Sequence, residues 1–143
     1  MSPRYTPTLL EHFTHPRHVG TLEDADASGQ GGGGPLCPED MAHIWIKVRE
    51  GRIVEIAHKT MGCPVAIASS SLTCSLAEGK TLEEALRITP EVVIEALGGV
   101  PERKADSVVA PEALRRAIEA YLAGHPPSSG EESGAGDSAR FVG

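Results

Sequence analysis

Ile44, Ile46 and Val48 alternate with Trp45 and Lys47, the period of a strand with one buried face. A second β-rich run extends from Ile53 to about Thr60 beyond Arg49-Glu50-Gly51-Arg52, so the two runs predict an antiparallel hairpin. The period then changes. Val65, Ala68, Leu72 and Leu76 recur at helical spacing, Pro64 suits a first helical position and Gly79 supplies a stop. A long helix is therefore predicted, opened by Gly62-Cys63-Pro64, with Cys63 at its N-terminus.

Shorter helices are marked by their caps. Thr6-Pro7 starts a helix that sets Leu9, Leu10 and Phe13 on one face, Thr81-Leu82-Glu83-Glu84 is a capping box, and Thr89-Pro90 opens a helix closed by Gly98-Gly99. The final helix is expected from about Pro111 to Leu122, preceded by a separate turn over Asp106 to Ala110. From His15 to Pro35 the chain reads as a loop. It ends in the glycine-rich run Gly29 to Gly34, whose backbone entropy opposes regular structure unless something else supports it. Beyond Gly124 almost nothing is apolar, which predicts one domain over residues 1–123 and a disordered tail over 124–143.

Composition narrows the class. The chain has 143 residues, 40% hydrophobic but only 3% aromatic, which fits one α+β domain with an aliphatic core. A net charge of -7 without a basic cluster argues against nucleic acid as a partner. No apolar leader and no run of about 18 apolar residues appears, so no membrane role and a cytoplasmic location are expected. The glycine run lacks the Lys-Ser/Thr of a phosphate-binding loop.

The chemistry points to the cysteines. Three of them, Cys37, Cys63 and Cys74, fit free thiols or metal thiolates better than a disulfide framework. Helix-terminal amides around Cys63 would favour the thiolate that binds metal or attacks sulfur. Cys37 sits beside the glycine run, where an exposed thiol is a liability unless used. Cys74 falls about 16 Å along the same helix at 1.5 Å per residue, so it cannot share a metal ion with Cys63 and is read as structural. His12, His15 and His18 are spaced suggestively, but Pro16 breaks any common helical face, and they are read as surface residues.

The segment Lys59-Thr60-Met61-Gly62-Cys63-Pro64-Val65-Ala66-Ile67-Ala68-Ser69-Ser70-Ser71 resembles the K-T-x-G-C-x-x-A-I-A-S-S-S signature of the IscU/NifU-like scaffolds. His15-Pro16-Arg17-His18-Val19-Gly20 is similar to that family's N-P-R-N-V-G. The resemblance implies an IscU/SufE-like α+β fold, a small three-stranded antiparallel sheet packed with about five helices. It also implies a site for a nascent iron-sulfur cluster, of the 2Fe-2S type, or zinc. Cys37 and Cys63 match the first two family cysteines, and Glu39 matches the family aspartate with Asp40 as its neighbour. In the third motif Ala105 stands for the histidine and Asp106 for the third cysteine. The implied metal set is Cys37, Cys63, Glu39 and Asp106, although Asp106 before Ser107 also reads as an ordinary N-cap.

The implied partners are a cysteine desulfurase and apo acceptor proteins. An Hsp70-type chaperone grips the third motif in the family, and the loss of its second proline and Val-Lys weighs against that partner here. The leading reading is a non-enzymatic scaffold that accepts sulfur and iron and passes on the cluster. A zinc-dependent sulfur acceptor for the desulfurase and a metal-free interaction module are the alternatives.

Overall fold

The computed structural model describes residues 5–32 and 38–124. Cys37 and the sequence after Gly124 lie outside the described residues. Three antiparallel strands, β1 (Ala27–Gly32), β2 (Met41–Arg49) and β3 (Arg52–Met61), form a sheet in the order β1-β2-β3. The helices are α1 (Pro7–Thr14), α2 (Pro64–Ala77), α3 (Leu82–Ala85), α4 (Pro90–Ala96) and α5 (Ala110–Ala123). A 3-10 helix over Glu102–Ser107 precedes α5.

The α+β architecture and the β2–β3 hairpin agree with the sequence pattern. Ala42, Ile44, Ile46 and Val48 of β2 bury their side chains in one cluster with Cys74 and Ala77 of α2 and Ala113, Leu114, Ala117 and Ile118 of α5. A second cluster joins Leu9 of α1, Val65, Ala68 and Leu72 of α2, Val93 of α4 and Val108. Thr81 and Glu84 complete the capping box, each side chain bonded at 3.0 Å to the other residue's backbone N–H. Among the described residues, no helix is long and apolar enough to cross a membrane.

β1 departs from the expected loop. Its sequence, ASGQGG, has no apolar alternation, yet it pairs with β2 from Ala27↔Ile46 to Gly32↔Met41. The reason is contact with α5. A Cβ on Gly29 would lie 2.4 Å from Ala117 N and 2.5 Å from Ala113 O, and one on Gly31 would lie 2.4 Å from Val109 O. Glycine lets the helix backbone rest on the strand, and the packing offsets the entropy that glycine loses on folding.

The His15–Gly20 segment is also held, although it belongs to no named helix or strand. The Arg17 backbone N–H donates to Ser71 Oγ at 2.8 Å, and His12 Nδ1 lies 2.7 Å from the same oxygen. His58 N–H donates to His18 O at 2.8 Å and Gly20 N–H to His58 O at 2.9 Å, so Val19 forms a parallel bridge on β3. The His58 ring is buried, with Nε2 3.0 Å from Arg17 O and Nδ1 2.8 Å from Thr60 Oγ1. The serine run is thus partly structural: Ser71 anchors this segment, while Ser70 Oγ donates back to Ala66 O at 2.8 Å.

Candidate functional site

Cys63 is the N-cap residue of α2, with extended backbone and Pro64 in the first turn, as its sequence context predicts. Its own side chain caps nothing. Its backbone N–H donates to the carboxylate of Asp40, immediately before β2, with Oδ1 at 3.2 Å. Gly62 makes room for this. Its φ is +136°, and a Cβ there would lie 2.1 Å from Asp40 Oδ1.

The Cys63 sulfur is half-buried between two oxygens. Asp40 Oδ2 is 3.6 Å from Sγ and Ser107 Oγ is 3.2 Å from it. Asp40 and Ser107 are 2% and 0% exposed, so both oxygens are fixed in the protein rather than dissolved in solvent. The grouping joins three separate parts of the chain: the start of β2, the start of α2 and the end of the 3-10 helix.

The expected ligands fare differently. Cys63 occupies the site, and Cys37 lies outside the described residues. Glu39 is exposed, and the carboxylate brought to Cys63 is that of Asp40. Asp106 is exposed, one residue before Ser107. The N-cap reading of Asp106 is overturned, because it lies inside the 3-10 helix and the N-cap of α5 is Val109. Among the described residues, no three His, Cys, Asp or Glu side chains converge in a way that could hold a metal ion. Cys63 and Asp40 offer one thiolate and one carboxylate, an acceptable but incomplete donor set for zinc or iron.

Cys74 is fully buried in the core, where desolvation, with a smaller contribution from Glu78, pushes its thiol up and keeps it protonated. His12 is held below its usual range by burial and by Arg17. His43 and His58 are each lowered to about 4, chiefly by burial. His43 stacks on Trp45, with ring centroids 3.9 Å apart.

Two residues of the site escaped the sequence reading. The motif offers Asp40 only as the neighbour of Glu39, yet Asp40 shares the parity of Ala42, Ile44 and Ile46, the positions facing the helices. Extending the β2 alternation back by one step selects it over Glu39. For Ser107 the available signal is weaker: it begins the buried run Ser107-Val108-Val109.

The sequence model described as "NifU-like N terminal domain" matches residues 4–126. The chain belongs to this family. Iron-sulfur cluster assembly scaffold protein IscU 1 of Archaeoglobus fulgidus is 49% identical over 119 residues, 82% of this chain and 76% of that protein. The IscU scaffold protein of Aquifex aeolicus is 41% identical, over 85% of this chain and 78% of its own length. A NifU-like N-terminal structure from Brucella abortus superposes with a TM-score of 0.69 at 20% identity, covering 84% of this chain and 95% of that one. A putative scaffold for the SUF system from Fervidobacterium islandicum gives 0.64 at 16% identity, covering 80% and 96%. These two structures support the fold alone.

Proposed function

We propose that the protein is a scaffold on which an iron-sulfur cluster is assembled and then passed to acceptor proteins. The observation that carries this is the placement of Cys63 at the α2 N-terminus with the buried Asp40 carboxylate 3.6 Å from its sulfur. The IscU names borne by relatives as much as 49% identical support it. In this reading the cluster, a 2Fe-2S unit, is cargo. Cys37 and Cys63 supply thiolates and Asp40 a carboxylate, while Glu39 and Asp106 remain exposed candidates for a further ligand.

Sulfur enters from the persulfide of a cysteine desulfurase. The Cys63 thiolate attacks the outer sulfur, the S–S bond on the donor breaks, and the donor cysteine leaves as a thiolate while a persulfide forms on Cys63. No turnover of a released small molecule is involved, so the protein acts as acceptor and platform rather than as an enzyme. A set of two thiolates and carboxylates binds iron less tightly than an all-thiolate set, which suits a cluster meant to leave.

Analysis of iron, zinc and acid-labile sulfide in anaerobically purified protein tests the proposal. Iron with sulfide supports the scaffold. Zinc alone favours a zinc-dependent sulfur acceptor, and neither metal favours an interaction module.

A further inference from the structure

We propose that Pro64 is a positioning residue for Cys63, keeping it out of α2 in the extended conformation that sets its N–H on Asp40 and its sulfur beside the same carboxylate. The proposal deepens the scaffold reading, and rests on it for the role of Cys63 as a ligand.

Helices α1, α3 and α4 begin after Thr6, Thr81 and Thr89, whose hydroxyls accept the N–H groups of Leu9, Glu84 and Val92 at 3.0, 3.0 and 3.3 Å. Each threonine is thereby held at the N-cap by its own side chain. Cys63 occupies the same place before α2 but makes no such bond. Its sulfur is left available to a metal, and its conformation is fixed by another device.

That device is the proline. Cys63 has φ −77° and ψ 173°. Its carbonyl already accepts the first helical bond, from Ile67 N–H at 3.2 Å, while its own N–H goes to Asp40 Oδ1 at 3.2 Å. Entry into the helix would turn ψ by about 145°, toward the helical value of about −42°. Pro64 opposes this turn, because its Cδ clashes with the N–H and Cβ of a preceding residue in the helical region. The sequence around it would otherwise permit the turn: glycine, as at Gly62, is an acceptable N-cap, and cysteine is an ordinary helix residue. Ile56 of β3 and Val65 of α2 are both locked in the core, so the rotation would fall on Cys63 itself and carry its N–H and sulfur away from Asp40. A ligand held in one conformation before the metal arrives loses less freedom when it binds.

The test is solution NMR of the metal-free parent and Pro64→Ala, followed by release of iron from both reconstituted chains to excess EDTA. Alanine suits a helix, so α2 itself should persist. In the variant the Cys63 Cα shift should move toward the helical value and a sequential amide NOE should join residues 63 and 64. The Cys63 amide should exchange about two- to five-fold faster, the effect of one proline constraint. The Ile67 amide should keep its protection. Iron release should quicken by about the same factor, two- to five-fold. If Pro64 only supported the start of the helix, Cys63 would move toward coil shifts and the Ile67 amide would lose protection with it. Should the alanine variant fail to fold, Pro64→Gln carries the same readings.

Coil-like shifts at Cys63, unchanged shifts and exchange, or iron release at the parent rate from a variant with helical Cys63 each overturn the proposal. A parent chain that takes up no iron and sulfide, beside the expected NMR changes in the variant, overturns the scaffold reading and leaves the hold of Pro64 on Cys63 standing.

Discussion

Replacing Gly62 by alanine should disturb the site through two separable effects. The first is backbone strain: at φ +136° a side chain is disfavoured, at a cost of about 1–3 kcal/mol. The second is collision, because the new Cβ would lie 2.1 Å from Asp40 Oδ1 and 2.7 Å from Asp40 Cγ. The carboxylate must swing away and release the Cys63 N–H, and a hydrogen bond to a charged group is worth about 1.5–3 kcal/mol. Gly62→Ala should therefore destabilise the fold by about 4 kcal/mol. In an Asp40→Ala background the two closest contacts no longer exist, and about 1–3 kcal/mol of strain remains. Urea denaturation of the parent, both single variants and the double variant gives the coupling directly, provided the m-values agree. The expected coupling is about 2 kcal/mol, with the double variant more stable than the sum of the singles implies. Additivity within about 0.5 kcal/mol would show that Gly62 is not there to admit the Asp40 carboxylate.

Gly31→Ala should cost several kcal/mol, about 3 or more, because Val109 O lies 2.4 Å from the new Cβ, whereas Gly32→Ala in the same strand meets only Asp40 O at 3.9 Å and should stay within about 1 kcal/mol. Chemical denaturation compares them, and equal losses would refute the close α5 contact. His58 titrates near 6.5 when unfolded but at about 4 in the fold, so its contribution is complete above pH 6.5 and falls as pH drops toward 4, by about 3 kcal/mol. The stability gap between the parent and His58→Gln should accordingly narrow from pH 7 to pH 4.5, and a constant gap would refute the assignment. Cys74→Ala should cost about 1–2 kcal/mol through a small cavity while leaving Cys63 alkylation unchanged; slower Cys63 labelling in a folded variant would contradict a structural role. Removal of residues 125–143 should move the melting temperature little, and a fall of several degrees would show that they contribute to the domain.

Much of the fold was legible because its signals are local. The β2 alternation, the proline-led starts of α1, α2 and α4 and the capping box at Thr81 each depend on residues a few positions apart. β1 was not legible from the pattern of its residues. Gly29 and Gly31 carry no apolar face, and their strand conformation is secured by α5, far away in sequence. The 3-10 helix begins at Glu102, earlier than the turn expected from Asp106, because its bonds are backbone contacts that no side chain announces. In the site, position along the chain identified Cys63, but alignment to a motif chose Glu39 where strand parity chooses Asp40. Ser107 was hidden for a simpler reason: its contact with Cys63 depends on the end of the 3-10 helix meeting the start of α2, a tertiary contact.

The most direct test of the account is anaerobic reconstitution of the full chain with ferrous iron and sulfide, comparing the parent, Cys63→Ser and Cys74→Ala by bound iron, acid-labile sulfide and visible absorption. The account predicts comparable amounts of iron and sulfide, with a charge-transfer spectrum, on the parent and on Cys74→Ala, and loss of both from a folded Cys63→Ser. A parent chain that binds neither, or a Cys63→Ser chain that binds both as fully as the parent, would contradict it.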